Sequence, residues 1–325
     1  MLKNRIFNIN NSENFKSIAL EIFRLQAKEN SVYREFINYL NIDVNGVKEL
    51  DQIPFLPIQF FKSHKVVTGN EPEQDVFLSS GTTGMSQSKH YVTDLSIYEE
   101  SYTKGFEYFY GNIEDYVVLG LLPAYLERNG SSLIYMVDDL IKKSKHPESG
   151  FYLNDHDKLV ENIIRLENRK QKILLIGVSF ALLDLLDDYN LDLRYTTIME
   201  TGGMKGRRKE LIREELHNEF TLGFGVEAIH SEYGMTELLS QAYSKGNGIF
   251  NCPPWMKVLT RDTEDPFSYL SNGKSGGINV IDLANINSCS FIATQDLGRI
   301  YSDESFEVIG RFDHSDIRGC NLMVL

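Results

Sequence analysis

The chain has 325 residues, 42% hydrophobic and 24% charged, enough to bury a core in one large domain or two closely packed ones. A net charge of −13 without a clustered basic face argues against nucleic acid as a partner, although a nucleotide needs only a local electropositive site. No apolar run reaches the length of a membrane span, since the longest, 173–186, is broken by Gly177, Ser179 and Asp184. Met1 to Asn10 holds no secretory-type apolar run, and Cys252, Cys289 and Cys320 lack metal-ligand spacing, so a reducing cytoplasm is expected.

The first forty residues predict helices, with Phe15, Ile18, Ala19, Ile22, Phe23 and Leu25 on one face and Ser12 as N-cap. A proline-punctuated stretch, Ile53-Pro54-Phe55-Leu56-Pro57, leads into Phe60-Phe61-Lys62-Ser63-His64. Val76-Phe77-Leu78 reads as a strand entering Ser79-Ser80-Gly81-Thr82-Thr83-Gly84, whose two glycines and four hydroxyls suit a phosphate cradle. No lysine follows Gly84, so this is not the GxxxxGK[ST] nucleotide loop.

Strand–helix alternation dominates the middle: strand 172–178, helix 180–189, strand 196–200, a Thr201-Gly202-Gly203 turn, helix 208–220 and strand 226–231. This alternation predicts an α/β sheet with ligand loops at the carboxyl ends of its strands. From about Ile249 the pattern becomes β-rich, with strands over 256–260, 277–282, 290–294 and 305–309.

The chemistry-bearing residues sit in the turns of this pattern. Gly202-Gly203 lets backbone approach a flat ring, and Tyr233-Gly234-Met235-Thr236-Glu237 offers an aromatic face, a hydroxyl and a carboxylate that can hold Mg²⁺ against phosphates. Asp296, expected at a strand end, suits ribose hydroxyls, and Arg311 supplies a planar cation. Each motif alone also reads as ordinary core, loop or surface; their order is what carries the signal.

That order resembles the adenylate-forming superfamily of acyl-activating enzymes. Pro54-Phe55-Leu56-Pro57, Phe61-Lys62-Ser63-His64 and Arg318-Gly319-Cys320 resemble its acyl-protein synthetase (LuxE-like) branch, with phenylacetate–CoA ligases a more distant likeness. The resemblance implies an α/β fold: an adenylate-binding domain over 1–310, with a helical segment 1–65 and a β-rich C-terminal subdomain. It also implies a hinge and short tail over 311–325. The activity it implies is ATP- and Mg²⁺-dependent conversion of a fatty or other hydrophobic carboxylic acid to acyl-AMP, then transfer to a cysteine thiol. Residues 79–84 would hold phosphates, Gly202 and Gly203 border adenine, and Tyr233 stack on it. Thr236 would touch the α-phosphate, Glu237 carry Mg²⁺, and Asp296 and Arg311 grip ribose. Cys320 matches the acceptor, and Arg318 nearby would lower its pKa.

The chain ends twelve residues after Asp313, where most of the superfamily continues into a mobile domain carrying a catalytic lysine. That domain is therefore expected to be absent, with Lys205, Arg207, Arg208, Arg318 or a partner subunit in the lysine's place. An acyl reductase or an acyl carrier or acyltransferase subunit is the implied partner. An acyl–CoA ligase and a non-catalytic scaffold remain the alternatives.

Overall fold

The computed structural model of the chain describes residues 2–80, 87–122, 130–202 and 211–312. Three helices open it, α1 (Leu2–Ile6), α2 (Ser12–Glu29) and α3 (Ser31–Tyr39), followed by β1 (Leu56–Pro57) and α4 (Phe60–Ser63). On α2, Phe15, Ile18, Ala19, Ile22 and Phe23 are buried as the helical spacing predicts. Leu25 falls off that stripe and is 37% exposed, and the N-cap is Asn11, whose side chain accepts from the Asn14 amide.

A hairpin of β2 (Asp75–Leu78) and β3 (Lys89–Val92) forms a separate two-stranded sheet, so the serine-glycine run does leave a strand. Then come α5 (Leu95–Tyr110), β4 (Tyr116–Leu121), α6 (Ser132–Ser144), β5 (Gly150–Phe151), α7 (His156–Asn168), β6 (Lys172–Gly177), α8 (Ser179–Asp188), β7 (Thr196–Glu200), α9 (Arg213–Phe224) and β8 (His230–Tyr233). The described part of α9 and strand β8 lie later than the periodicity predicts, because Val226 and Glu227 belong to the loop before the strand. Six further strands complete the chain: β9 (Ala242–Ser244), β10 (Ile249–Asn251), β11 (Met256–Arg261), β12 (Ser275–Asp282), β13 (Phe291–Ile300) and β14 (Phe306–Arg311).

Twelve strands form one sheet, ordered β11-β12-β13-β14-β10-β9-β8-β7-β6-β4-β5, with β1 alongside β13. From β5 to β8 neighbours run parallel; from β8 to β11 they run antiparallel. The β-rich portion therefore extends the central sheet. Helices with ten to thirteen described residues bridge the parallel strands, and apolar runs such as Ile173–Gly177 are buried on both faces. Chain order reverses direction between β4 and β6, which makes their carboxyl ends the place for a ligand. The helix α5 packs with α6, and α8 with α9. Among the described residues no helix is long and apolar enough to cross a membrane.

Candidate active site

The carboxyl ends of β7 and β8 gather the predicted turns. Gly202 follows β7 with φ +71°, a left-handed conformation that costs glycine nothing. Beyond β8 the chain turns through Gly234 to Glu237. Three buried contacts hold that turn. His90 of β3 donates from Nδ1 to the Thr236 carbonyl at 2.8 Å, and Asn285 donates to the Glu237 carbonyl at 2.8 Å. Asp282, fully buried, accepts from the Leu239 and Ser240 amides at 2.8 and 2.9 Å, from Ser240 Oγ at 2.5 Å and from the Ala284 amide at 3.1 Å. The Asn285 loop is fixed in turn by Gln26 of α2, which donates to the Asn285 and Ile286 carbonyls at 2.9 and 3.0 Å.

Glu237 is buried, which raises its pKa; a hydrogen bond from Ser88 and the nearby cations Arg311 and Lys62 pull the other way. Ser88 in turn donates its amide to Ser79 Oγ at 2.9 Å, so the foot of the serine-glycine loop and the Glu237 carboxylate share one residue. Burial pushes His90 down to about 4, which leaves its imidazole neutral and its Nδ1–H fixed on the Thr236 carbonyl.

Tyr233, Asp296 and Arg311 form one unit. Asp296 Oδ2 accepts from the Tyr233 hydroxyl at 2.8 Å, and Oδ1 accepts from Arg311 Nε at 3.0 Å. Asp296 and Arg311 face each other across β13 and β14, with the carboxylate side chain 7% exposed and the guanidinium 79% exposed. The acid lies in the middle of β13, not at a strand end, because the strand continues to Ile300 after a register shift at Leu297/Gly298. Tyr233 is buried, with Phe250 and Phe306 against its ring at centroid distances of 5.9 and 5.5 Å. Arg311 is raised further by Asp296 beside it, then held back by partial burial.

Ser79, Ser80, Gly202, Tyr233, Gly234, Thr236, Glu237, Asp296 and Arg311 are thus described, while Gly81, Thr82, Thr83, Gly84, Gly203 and Cys320 lie outside the described residues, as do Lys205, Arg207, Arg208 and Arg318. Ser88, His90, Asp282 and Asn285 were missed by the sequence reading. Only their contacts with the turn mark them, since each is an unremarkable polar residue in its own segment. Among the described residues no three His, Cys, Asp or Glu side chains cluster as a metal site. The chemistry of a single carboxylate such as Glu237 is compatible with Mg²⁺, an ion that takes one or two carboxylates and fills its shell with phosphate oxygens and water.

A family description, "Acyl-protein synthetase, LuxE", matches residues 5–325. The chain belongs to this family. Membership makes the protein an ATP-dependent, acid-activating ligase of the acyl-protein synthetase type. The chain is 22% identical over 330 residues to a long-chain-fatty-acid–luciferin-component ligase of Aliivibrio fischeri, covering 94% of this chain and 86% of that one. It is 37% identical to the ligase of the same name from Photorhabdus luminescens over 71 residues, or 22% of this chain and 60% of that one. ATP-bound MatB from Rhodopseudomonas palustris superposes with TM-score 0.54 at 19% identity, over 73% of this chain and 47% of MatB, so the chain spans about half of that enzyme's length. A 2-hydroxyisobutyryl-CoA ligase in complex with 2-HIB-AMP and CoA superposes with TM-score 0.67 at 12% identity, over 94% of this chain and 72% of that one. These superpositions establish the adenylate-forming fold.

Proposed function

We propose that this acyl-protein synthetase activates a fatty or other hydrophobic carboxylic acid with ATP and Mg²⁺ and transfers the acyl group to Cys320 as a thioester. The observation that carries the reading is the docking of the Thr236–Glu237 turn onto the strand that leaves the serine-glycine loop, through His90 and Ser88. Two segments far apart in sequence meet there, one carrying the phosphate cradle and the other the α-phosphate contact and the metal carboxylate.

In the first step the acid's carboxylate oxygen bonds to the α-phosphorus, the bond to the β-phosphate's bridging oxygen breaks, and pyrophosphate leaves. Residues 79–84 hold the phosphates, and Thr236 contacts the α-phosphate. Glu237 holds Mg²⁺, which neutralises charge on the phosphate oxygens when bound. Asp296 takes the ribose hydroxyls and is itself held by Tyr233 and Arg311; Gly202, Gly203 and Tyr233 border adenine, and Gly234 lets the turn come close. In the second step the Cys320 thiolate bonds to the acyl carbon and AMP leaves. Burial argues against the other thiols: it pushes Cys289 up to about 12 and raises Cys252 as well, leaving neither as thiolate at neutral pH. The acyl group then passes to a reductase or to an acyl carrier or acyltransferase subunit in the cytoplasm. Residues 1–310 form the adenylate-binding unit in this reading, with 311–325 as hinge and tail.

Intact-protein mass after incubation with ATP, Mg²⁺ and a mixture of carboxylic acids tests this. A hydroxylamine-labile acyl adduct on wild type, lost in Cys320→Ser, is expected. Pyrophosphate release with no adduct would overturn the thioester step, and silence in both measurements would overturn acid activation.

A further inference from the structure

The hydrogen bonds on Asp282 continue beyond the turn it holds. Ser240 gives its only hydroxyl proton to Asp282 Oδ1, so toward its other neighbours that oxygen accepts. Ser101 of α5 lies 3.0 Å from Ser240 Oγ and therefore donates to it. The indole N–H of Trp255 is shared between the two hydroxyl oxygens, at 3.1 Å from each. All four side chains are buried, and the donors run one way, from indole through hydroxyls to a carboxylate. Bonds chained in this way polarise and strengthen one another.

Trp255 stands just before β11 and joins three parts of the molecule. Its N–H ties Ser101 of α5 to Ser240, in the segment that follows Glu237. Its carbonyl accepts from the Leu283 amide at 3.1 Å, which fixes the loop carrying Asp282 and Asn285. The ring sits edge-on to Phe7, with centroids 5.1 Å apart. The α5 backbone runs beside it, since a Cβ at Gly105 would lie 3.9 Å from the indole. A buried indole N–H needs an acceptor, and most side-chain bonds go to backbone or water. This one instead bridges hydroxyls of two separate elements.

The turn at the far end is held on every side. Leu238 donates its amide to the Met235 carbonyl at 3.0 Å, which closes the chain around Thr236 and Glu237. The carbonyls of those two residues go to His90 and Asn285, and the Leu239 and Ser240 amides go to Asp282. Asn285 and Asp282 both belong to the loop that Trp255 touches, so the indole sets where loop and turn stand relative to α5.

We propose that Trp255 is a positioning residue for acid activation: its indole N–H, acting through Ser101 and Ser240, fixes the Thr236–Glu237 turn against α5. This rests on the reading of that turn as the α-phosphate and Mg²⁺ contact, and adds the residue that holds it in place.

The test is ATP–pyrophosphate exchange with a mixture of carboxylic acids, followed against Mg²⁺ concentration, for wild type, Trp255→Phe, Ser101→Ala, Ser240→Ala and Glu237→Gln. Trp255→Phe keeps a ring against Phe7 and removes the N–H. Its kcat is expected to fall about three- to tenfold and its half-saturating Mg²⁺ concentration to rise by a similar factor, with KM for the acids within about twofold of wild type. Ser101→Ala should move both quantities the same way. In a Ser240→Ala background neither replacement should add a further effect, because both reach the turn through that hydroxyl. The chain holds one tryptophan, so the proton resonance of its indole N–H reads the junction directly and should move upfield in Ser240→Ala. A purely structural role would lower Tm and leave kcat and Mg²⁺ half-saturation of the folded variants at wild-type values. That result, full multiplication in the Ser240→Ala background, or an unmoved indole resonance would overturn the assignment. If Trp255→Phe does not fold, Ser101→Ala alone and combined with Ser240→Ala decides. An altered Mg²⁺ dependence in Glu237→Gln but in neither Trp255→Phe nor Ser101→Ala would sink the positioning role and keep the reading of the turn. Unchanged exchange in Glu237→Gln, or none by wild type with any acid, would sink both.

Discussion

Replacing Asp282 with asparagine separates a local fold role from the chemistry it supports. The Asp282 carboxylate is fully buried and accepts four hydrogen bonds, two on each oxygen. An asparagine keeps one accepting oxygen and turns the other end into a donor, so two of those buried donors lose their acceptor. Each such loss costs about 1–3 kcal/mol, and the neutral amide recovers part of the cost of burying a charge, so a net loss of roughly 2–4 kcal/mol is expected. That is a large share of the ~5–15 kcal/mol typical of a folded chain, yet leaves it folded. Because three of the four bonds come from Leu239 and Ser240, two and three residues after Glu237, pyrophosphate exchange should fall more than about tenfold under conditions where the variant is folded. Urea denaturation gives the first quantity and exchange kinetics the second. In a double-mutant cycle Asp282→Asn should add little on top of Glu237→Gln, since both act through one carboxylate. A destabilisation below about 1 kcal/mol, or full additivity in the cycle, would refute the reasoning.

Four other outcomes follow from the same geometry. Glu237→Gln should lower exchange by roughly a hundredfold and flatten its dependence on Mg²⁺ concentration, because in the proposed reading this carboxylate holds the ion. His90 is held near 4 against an ordinary 6.5, so the native state resists its protonation; stability is full above 6.5 and falls as pH drops toward 4, by about 3 kcal/mol. His90→Gln should remove that slope between pH 7 and 4.5 in urea titrations, and an unchanged slope would exclude His90 as its source. Glu232 has the opposite sign: its raised value means stability is full below 4.5 and is lost as pH rises toward 8. Glu232→Gln should therefore gain on wild type at pH 8 by roughly 2 kcal/mol, a figure already reduced for its partial exposure. Asp296→Asn breaks the link between Tyr233 and Arg311 and should raise the KM for ATP about tenfold or more, measured by exchange at saturating acid.

The sequence by itself determined the α/β fold, the parallel core strands, the family and the order of the site motifs. It could do so because those features are written in local pattern: apolar runs such as 173–177, glycine turns, and hydroxyl-rich loops declare themselves within a few residues. Boundaries drifted where pattern and pairing disagree. Val226 and Glu227 lie in a loop although they continue an apolar rhythm, and Asp296 lies inside β13 because pairing with β14 carries that strand past the expected end. Only the tertiary structure decided that the late strands join the central sheet, since strand order depends on contacts hundreds of residues apart. The same holds for the support of the site. Gln26 reaches Asn285, Asn285 holds Glu237, and His90 holds Thr236, each across 48 to 259 positions of sequence. A buried acid such as Glu232 reads as one more surface carboxylate until its packing against buried tyrosines and near the Glu200 carboxylate is known. Burial and partnership are properties of the folded packing, and they decide which polar residues act.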